Sequence, residues 1–375
     1  MKKETLLYVH IPFCKQKCFY CDFPSFANIE YLREDYLNAL KIEIESRCKD
    51  IEFSSLFIGG GTPSYLTEEE LRKLFNVLRN VKFVHGAEKT IECNPGTINK
   101  EKLLIMKEGG INRISFGLQT TNNSLLKEIG RIHTLETFEE NFKIAREIGF
   151  KNINIDLMFG LPNQKLDELK ETLNYIIKLN PEHISFYSLI IEEGTAFYKM
   201  YEKDILNLPS EEEERAMYSI GKEILELNGY KQYEFSNYAK SNKECFHNIG
   251  YWKLKDYIGV GSSSSSFINN KRIKNISNVK KYIDNINIDK TAFEEILENS
   301  KKENMEEYIF LGLRMLEGID KRDFKDKFNL DIEEVYENEI ISNIKKGLMI
   351  QTNERLKLTK QGIEVSNYVL SDFIR

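Results

Sequence analysis

The sequence predicts an α/β protein: a partial, TIM-like (βα)6 barrel followed by a smaller winged-helix-like C-terminal module. Three observations predict it. A strand, a polar or glycine-rich loop and an amphipathic helix recur in series six times. The unusual residues gather at one end of those strands. The pattern then changes after about residue 300.

The elements follow in order. The first strand is Thr5–His10, and Leu32, Tyr36, Leu40 and Ile44 place one apolar stripe on the helix behind it. Leu56–Ile58 runs into Gly59-Gly60-Gly61-Thr62-Pro63, and Thr67 with Glu70 forms a capping box for the next helix. Thr90–Cys93 stops at Asn94-Pro95-Gly96, Arg113–Phe116 leads to Gly117-Leu118-Gln119, and Ile153–Met158 ends at Gly160-Leu161-Pro162. His183–Tyr187 is the sixth strand, and Ser210 with Glu213 caps the helix beyond it. Right-handed crossovers curl such a series into a barrel whose active site lies at the C-terminal ends of the strands. Cys14, Gly60, Glu92, Gln119 and Asp156 all fall at or just past that end. From Ile332 to Ile344 a helix runs to Gly347, a natural residue beyond a helix end, and two short strands and a final helix follow. The expected organisation is a barrel over 1–230, a connecting segment over 231–299 and the winged-helix-like module over 300–375.

Composition narrows the classes. The chain has 375 residues, 41% hydrophobic and 30% charged, which is ordinary for a globular protein large enough for two cores. A net charge of −6 argues against a nucleic-acid or membrane surface built on bulk charge, so the winged-helix-like outline is expected to pack rather than bind DNA. No stretch approaches the roughly 18–20 apolar residues of a membrane span. Met1-Lys2-Lys3-Glu4 leads into no signal-peptide core, and a cytoplasmic address is expected.

Six cysteines are present, three of them in Cys14-x-x-x-Cys18-x-x-Cys21 on the loop after the first strand. A disulfide scaffold would be smaller and richer in cysteine. Closed structural zinc wants a fourth ligand, and no second Cys-x-x-Cys pair supplies one. Three thiolates on a short loop suit a 4Fe–4S cluster in which one iron stays open. Cys48 and Cys93 read as core residues.

The Cys-x-x-x-Cys-x-x-Cys loop after the first strand resembles the radical S-adenosylmethionine (SAM) superfamily. Tyr8-Val9-His10-Ile11-Pro12-Phe13-Cys14 is similar to the branch that contains oxygen-independent coproporphyrinogen III oxidase. Residues 59–64, 92–97, 113–119, 130–133 and 156–162 and the C-terminal module continue that likeness. The resemblance implies that the open iron takes SAM and that an electron donor reduces the cluster. It implies further that Tyr8 and Tyr20 pack against or beside SAM, that Gly60, Gly61 and Thr62 meet its ammonium, and that Glu92 accepts from a hydroxyl or the ammonium. Gln119, Arg131 and Asp156 match positions lining a second SAM or substrate site in related oxidases.

Two differences divide the branch. Where the oxidases carry a fourth cysteine, two residues past the third, this chain has Phe23, and its first strand begins almost at once. His247-Asn248-Ile249-Gly250-Tyr251-Trp252 is similar to the HNxxYW motif of HemW-type haem chaperones. That resemblance implies haem as cargo, delivery to a haem-accepting protein, possible peripheral contact with membrane acceptors, and no oxidase activity. His247 is then a candidate haem ligand, with Tyr251 and Trp252 covering the ring; a structural His–Asn pair over packed aromatics is the alternative. Cys245 is either a soft ligand or simply buried. The rival functions are coproporphyrinogen oxidation and another radical SAM reaction.

Overall fold

The computed structural model describes residues 4–374; Met1–Lys3 and Arg375, which the expected first and last segments include, lie outside the described residues. The six expected strands are present as β1 (Thr5–Ile11), β2 (Glu52–Gly60), β3 (Lys82–Cys93), β4 (Arg113–Gln119), β5 (Ile153–Phe159) and β6 (His183–Ser188). They pair in parallel in sequence order. The Thr67 and Ser210 capping boxes form as expected and fix where two of the covering helices begin.

Alternation along these strands sorts two faces. Leu7, Val9, Ile58, Ile91, Ile155 and Leu157 point outward, fully buried beneath the helices in one large apolar core. The inward face is polar. On β1, β4 and β5 the one residue not fully buried is Tyr8, Gly117 and Asp156 respectively, and Glu92 on β3 and Tyr187 on β6 are likewise half-buried. A parallel sheet covered on both faces ordinarily reads as continuous apolar runs. Here one face opens on a lumen, and the polar positions line it.

Residues 231–299 extend the same sheet on both margins. β7 (Lys231–Gln232) and β8 (Asn237–Ala239) run antiparallel beyond β6. On the other side β9 (Asp256–Val260) adds in parallel to β1, a seventh parallel strand. β10 (Ser265–Ile268), β11 (Lys271–Asn275) and β12 (Phe293–Glu298) then continue antiparallel to the far edge. In sequence the helix Phe246–Trp252 lies between β8 and β9.

A second core, including Ile309, Phe324, Tyr336, Leu356 and Val369, holds the C-terminal module together. Its β13 (Ile319–Asp320), β14 (Met349–Gln351) and β15 (Arg355–Leu358) form a three-stranded sheet against helices Lys321–Phe328 and Ile332–Lys345, the expected winged-helix-like outline. Gly347 follows the second helix at φ +74°, where glycine carries no steric penalty. The module is tied back to the barrel side by the Leu316 N–H donating to the Tyr233 carbonyl at 3.0 Å. Among the described residues no helix is long and apolar enough to cross a membrane.

Candidate functional site

The cysteine loop is closed by its own backbone. The Cys14 N–H donates to the Phe26 carbonyl at 2.9 Å and the Phe26 N–H to the Pro12 carbonyl at 2.8 Å. At its tip the Phe19 N–H donates to the Ile129 carbonyl at 3.1 Å, and Cys21 turns back on the Cys18 carbonyl at 3.2 Å. Cys14, Cys18 and Cys21 are all free thiols. Burial, and then the neighbouring Cys18, pushes the Cys21 thiol up to about 11, so a thiolate there needs a metal's charge beside it. Among the described residues no three His, Cys, Asp or Glu side chains converge tightly enough to hold a single metal ion. Three thiols on one loop suit a cluster in which each bonds a different iron.

The second glycine-rich loop docks onto the first. The Gly61 N–H donates to the Ile11 carbonyl and the Thr62 N–H to the Phe13 carbonyl, both at 2.8 Å. The Thr62 hydroxyl lies 3.4 Å from Cys14 Sγ. A Cβ on Gly61 would stand 2.9 Å from the Phe13 carbonyl oxygen, and one on Gly60, at φ +112°, would meet the His10 ring at 2.5 Å. Glycine at 61 is thus required by backbone packing against the cysteine loop, a need independent of any ligand.

Below the loop the lumen residues form a chain of neighbours. The Gly60 N–H donates to Glu92 at 3.2 Å. Enclosure, reinforced by the nearby Asp156 charge, pushes the Glu92 carboxyl up to about 8. Asp156 accepts from Asn154 at 2.7 Å and from the Ser115 hydroxyl at 3.4 Å. Arg131 donates to Cys18 Sγ at 3.4 Å and to Asn94 at 2.9 Å, and Tyr20 lies beside both Arg131 and Cys18. Gln119 holds a left-handed backbone at φ +78°, and its buried side-chain oxygen has no partner. Tyr8, Tyr20, Gly60, Glu92, Gln119, Arg131 and Asp156 are thus brought together, with Gly61 and Thr62 behind them.

The helix Phe246–Trp252 plugs the N-terminal end of the barrel. Glu88 on β3 accepts from the Phe246 and His247 N–H groups at 3.2 and 3.1 Å, placing an anion at the helix start. Gly250 brings the helix so close to β1 that a Cβ there would stand 2.3 Å from Leu6. His247 is 0% exposed. Its Nδ1 lies 2.8 Å from the Ser55 hydroxyl and its Nε2 2.8 Å from the Tyr251 hydroxyl. Burial, helped by the Arg113 charge, lowers it to about 3, so the ring is neutral with one nitrogen donating and one accepting.

Beside this plug lies a cavity of about 310 Å³, within the range of small-molecule sites. Tyr8 and His10 form its boundary with the lumen, Tyr251 and Tyr257 its aromatic wall, and Phe23 a lip that is 64% exposed. Ser263–Ser265 and Leu311 of the C-terminal module complete it. The serine loop is fixed from behind by fully buried Glu43, which accepts from the Gly261 N–H at 2.8 Å, Asn275 at 2.7 Å and the Tyr282 hydroxyl at 2.6 Å.

Comparison with known proteins agrees with this geometry. Residues 8–176 match the radical SAM superfamily, and residues 299–365 the HemN C-terminal domain. The haem chaperone HemW of Bacillus subtilis is 39% identical over 98% of both chains. That of Lactococcus lactis is 35% identical over 100% of this chain and 98% of its own. The chain belongs to the HemW family. The solved structure of Escherichia coli coproporphyrinogen III oxidase (HemN) superposes with a TM-score of 0.86 at 24% identity, covering 99% of this chain and 90% of that one, a likeness of fold.

Within this HemW-family chain the motif His247–Trp252 is oriented differently from expectation. His247 is fully buried, and each ring nitrogen faces a hydroxyl, Ser55 at Nδ1 and Tyr251 at Nε2. Trp252 does not line the cavity. One residue on from Tyr251, it is turned about 100° around the helix and lies under the Arg314 guanidinium, 4.9 Å from its ring. Tyr251 alone of the three reaches the cavity. Cys245 is buried, with its thiol donating to Glu88 at 3.5 Å. Sequence reasoning passed over His10, although it stands in the quoted run before Cys14, and Tyr257, Lys255 and Arg272, which carry no motif.

Proposed function

We propose that this protein binds a 4Fe–4S cluster through Cys14, Cys18 and Cys21, holds SAM over the lumen, and carries haem in the adjoining cavity for delivery to an acceptor protein. The curated relatives are named haem chaperones, which supports haem as cargo. The observation that carries the reading is the shared wall: Tyr8 and His10 belong at once to the lumen and to the cavity that Tyr251 lines. A macrocycle there would lie against Tyr251, Tyr257 and Phe23, aromatic surfaces suited to a flat apolar ring.

When bound, the cluster and SAM supply one-electron chemistry. The chain's own residues do the holding. Thr62 and Arg131 hydrogen-bond to thiols of the loop, the Glu92 and Asp156 carboxyls offer oxygen acceptors to the ammonium of SAM, and Gln119 offers its unpaired oxygen. An electron donor, an acceptor protein and a cytoplasmic site of action complete the proposal; transfer to membrane acceptors would be by peripheral contact.

Phe23 stands where the oxidases carry cysteine, and as a lip of the cavity it adds apolar surface for the ring. The discriminating experiment supplies coproporphyrinogen III, SAM and reductant to anaerobically reconstituted protein, and in parallel offers haem-loaded protein to a haem-requiring apoprotein. Haem transfer without decarboxylated product supports the chaperone. Decarboxylation at rates linear in enzyme would make the protein an oxidase.

A further inference from the structure

Two cations stand on one wall of an otherwise aromatic, aliphatic and hydroxyl-lined cavity. They are Lys255 and Arg272, and each is already occupied by a carboxylate that is not itself part of the lining. Arg272 donates from Nε and Nη2 to the two oxygens of Glu307, at 2.7 and 2.6 Å, in the forked geometry that guanidinium and carboxylate prefer. The Tyr257 hydroxyl, 3.4 Å from Nη1, and the Phe267 ring, 5.0 Å from the guanidinium carbon, hold that fork in place. Lys255 pairs with Glu4 and lies 4.9 Å from the centre of the Phe246 ring. Neither cation is sealed off, their side chains being 33% and 25% exposed for Arg272 and Lys255 respectively.

We propose that Lys255 and Arg272 are receptors for two carboxylates on one edge of a planar apolar ligand, and that Glu307 and Glu4 occupy those receptors when the cavity is empty. The inference rests on the haem reading above and specifies its chemistry: the ligand is recognised through its two propionates. A built-in carboxylate keeps each cation paired in the empty protein, so no buried charge is left unsatisfied. Exchange of one carboxylate for another keeps each cation paired throughout, so uptake and release pass through no step in which it stands alone. Glu307 lies on the helix Lys301–Gly312, which also supplies Leu311 to the wall. Exchange at Arg272 therefore loosens a clasp between the C-terminal module and β11, and filling the cavity is coupled to that module's position.

The test is an absorbance titration with haem and with haem dimethyl ester, whose propionates carry no charge. Wild type is expected to prefer the diacid by about tenfold or more. Arg272→Ala is expected to weaken the diacid by about tenfold while leaving the ester unchanged, so that the preference collapses; Lys255→Ala reduces it in the same direction. Glu307→Gln keeps the guanidinium and removes its competitor, so it tightens the diacid and not the ester, and it decides the matter should Arg272→Ala not fold. Equal effects of Arg272→Ala or Glu307→Gln on diacid and ester would overturn the proposal while leaving haem binding intact. Failure of wild type to take up either ligand would instead remove the haem reading itself, and this one with it.

Discussion

His247→Ala separates a structural histidine from a haem ligand. The imidazole is fully enclosed, with Ser55 and Tyr251 hydroxyls each 2.8 Å from a ring nitrogen and the Phe57 ring 5.3 Å away, centre to centre. Truncation leaves a cavity and deprives two hydroxyls of a partner, each loss costing about 1–3 kcal/mol when the group stays buried. With partial collapse of the site, the expected destabilisation is about 3–5 kcal/mol. His247→Gln, which keeps polar atoms in the same space, should recover part of that loss. The assay is urea unfolding of the protein followed by near-ultraviolet circular dichroism, paired with the Soret spectrum of haem added below the transition. A large drop in the midpoint with an unshifted Soret band is expected wherever the variant remains folded. If His247→Ala instead unfolds within about 0.5 kcal/mol of wild type and moves the Soret band, the imidazole is a ligand and the reasoning from its paired nitrogens fails.

Three further outcomes are expected. Cys18→Ala should lose the cluster in iron and acid-labile sulfide assays, whereas Cys93→Ala, at a site facing the core, should retain it once folded. Gly61→Val should lower iron content as well as SAM binding, because its side chain collides with the backbone of the cysteine loop; normal iron with weakened SAM binding would locate its role at the ligand alone. Glu92 titrates at about 8 in the folded chain against 4.5 ordinarily, so between those values the folded state binds more protons than the unfolded. The stability of the cluster-free protein should therefore fall as pH rises through that window, and Glu92→Gln should flatten the fall in urea midpoints.

Much of the barrel was legible because its signals are local. Capping boxes at Thr67 and Ser210 and alternation in β1 and β5 are written within a few residues of the structure they produce. The cysteine spacing is likewise written within one loop. What could not be read is what depends on distant pairing. β9 is five residues long and finds its place beside β1, from the opposite end of the barrel sequence. The four-residue spacing of His247 and Tyr251 places them on one helix face, but nothing in the sequence says that this face turns into the barrel. Lys255 and Arg272 resemble any surface cation until the fold brings both to one cavity. At Gly61 the structure adds a second reason for glycine that the sequence does not carry: the Phe13 and Ile11 carbonyls leave no room for a Cβ.

The most direct measurement of the central claim is a haem titration of anaerobically reconstituted protein, with iron, sulfide and the reduced cluster's EPR spectrum recorded on the same sample. On the proposed reading, haem would lie beside the cluster site across the wall of Tyr8 and His10, without using its cysteines. The account predicts saturation at one haem per chain, unchanged sulfide and cluster iron, and an EPR spectrum that still responds to SAM. Haem uptake only at the expense of the cluster, or no saturable uptake, would contradict it.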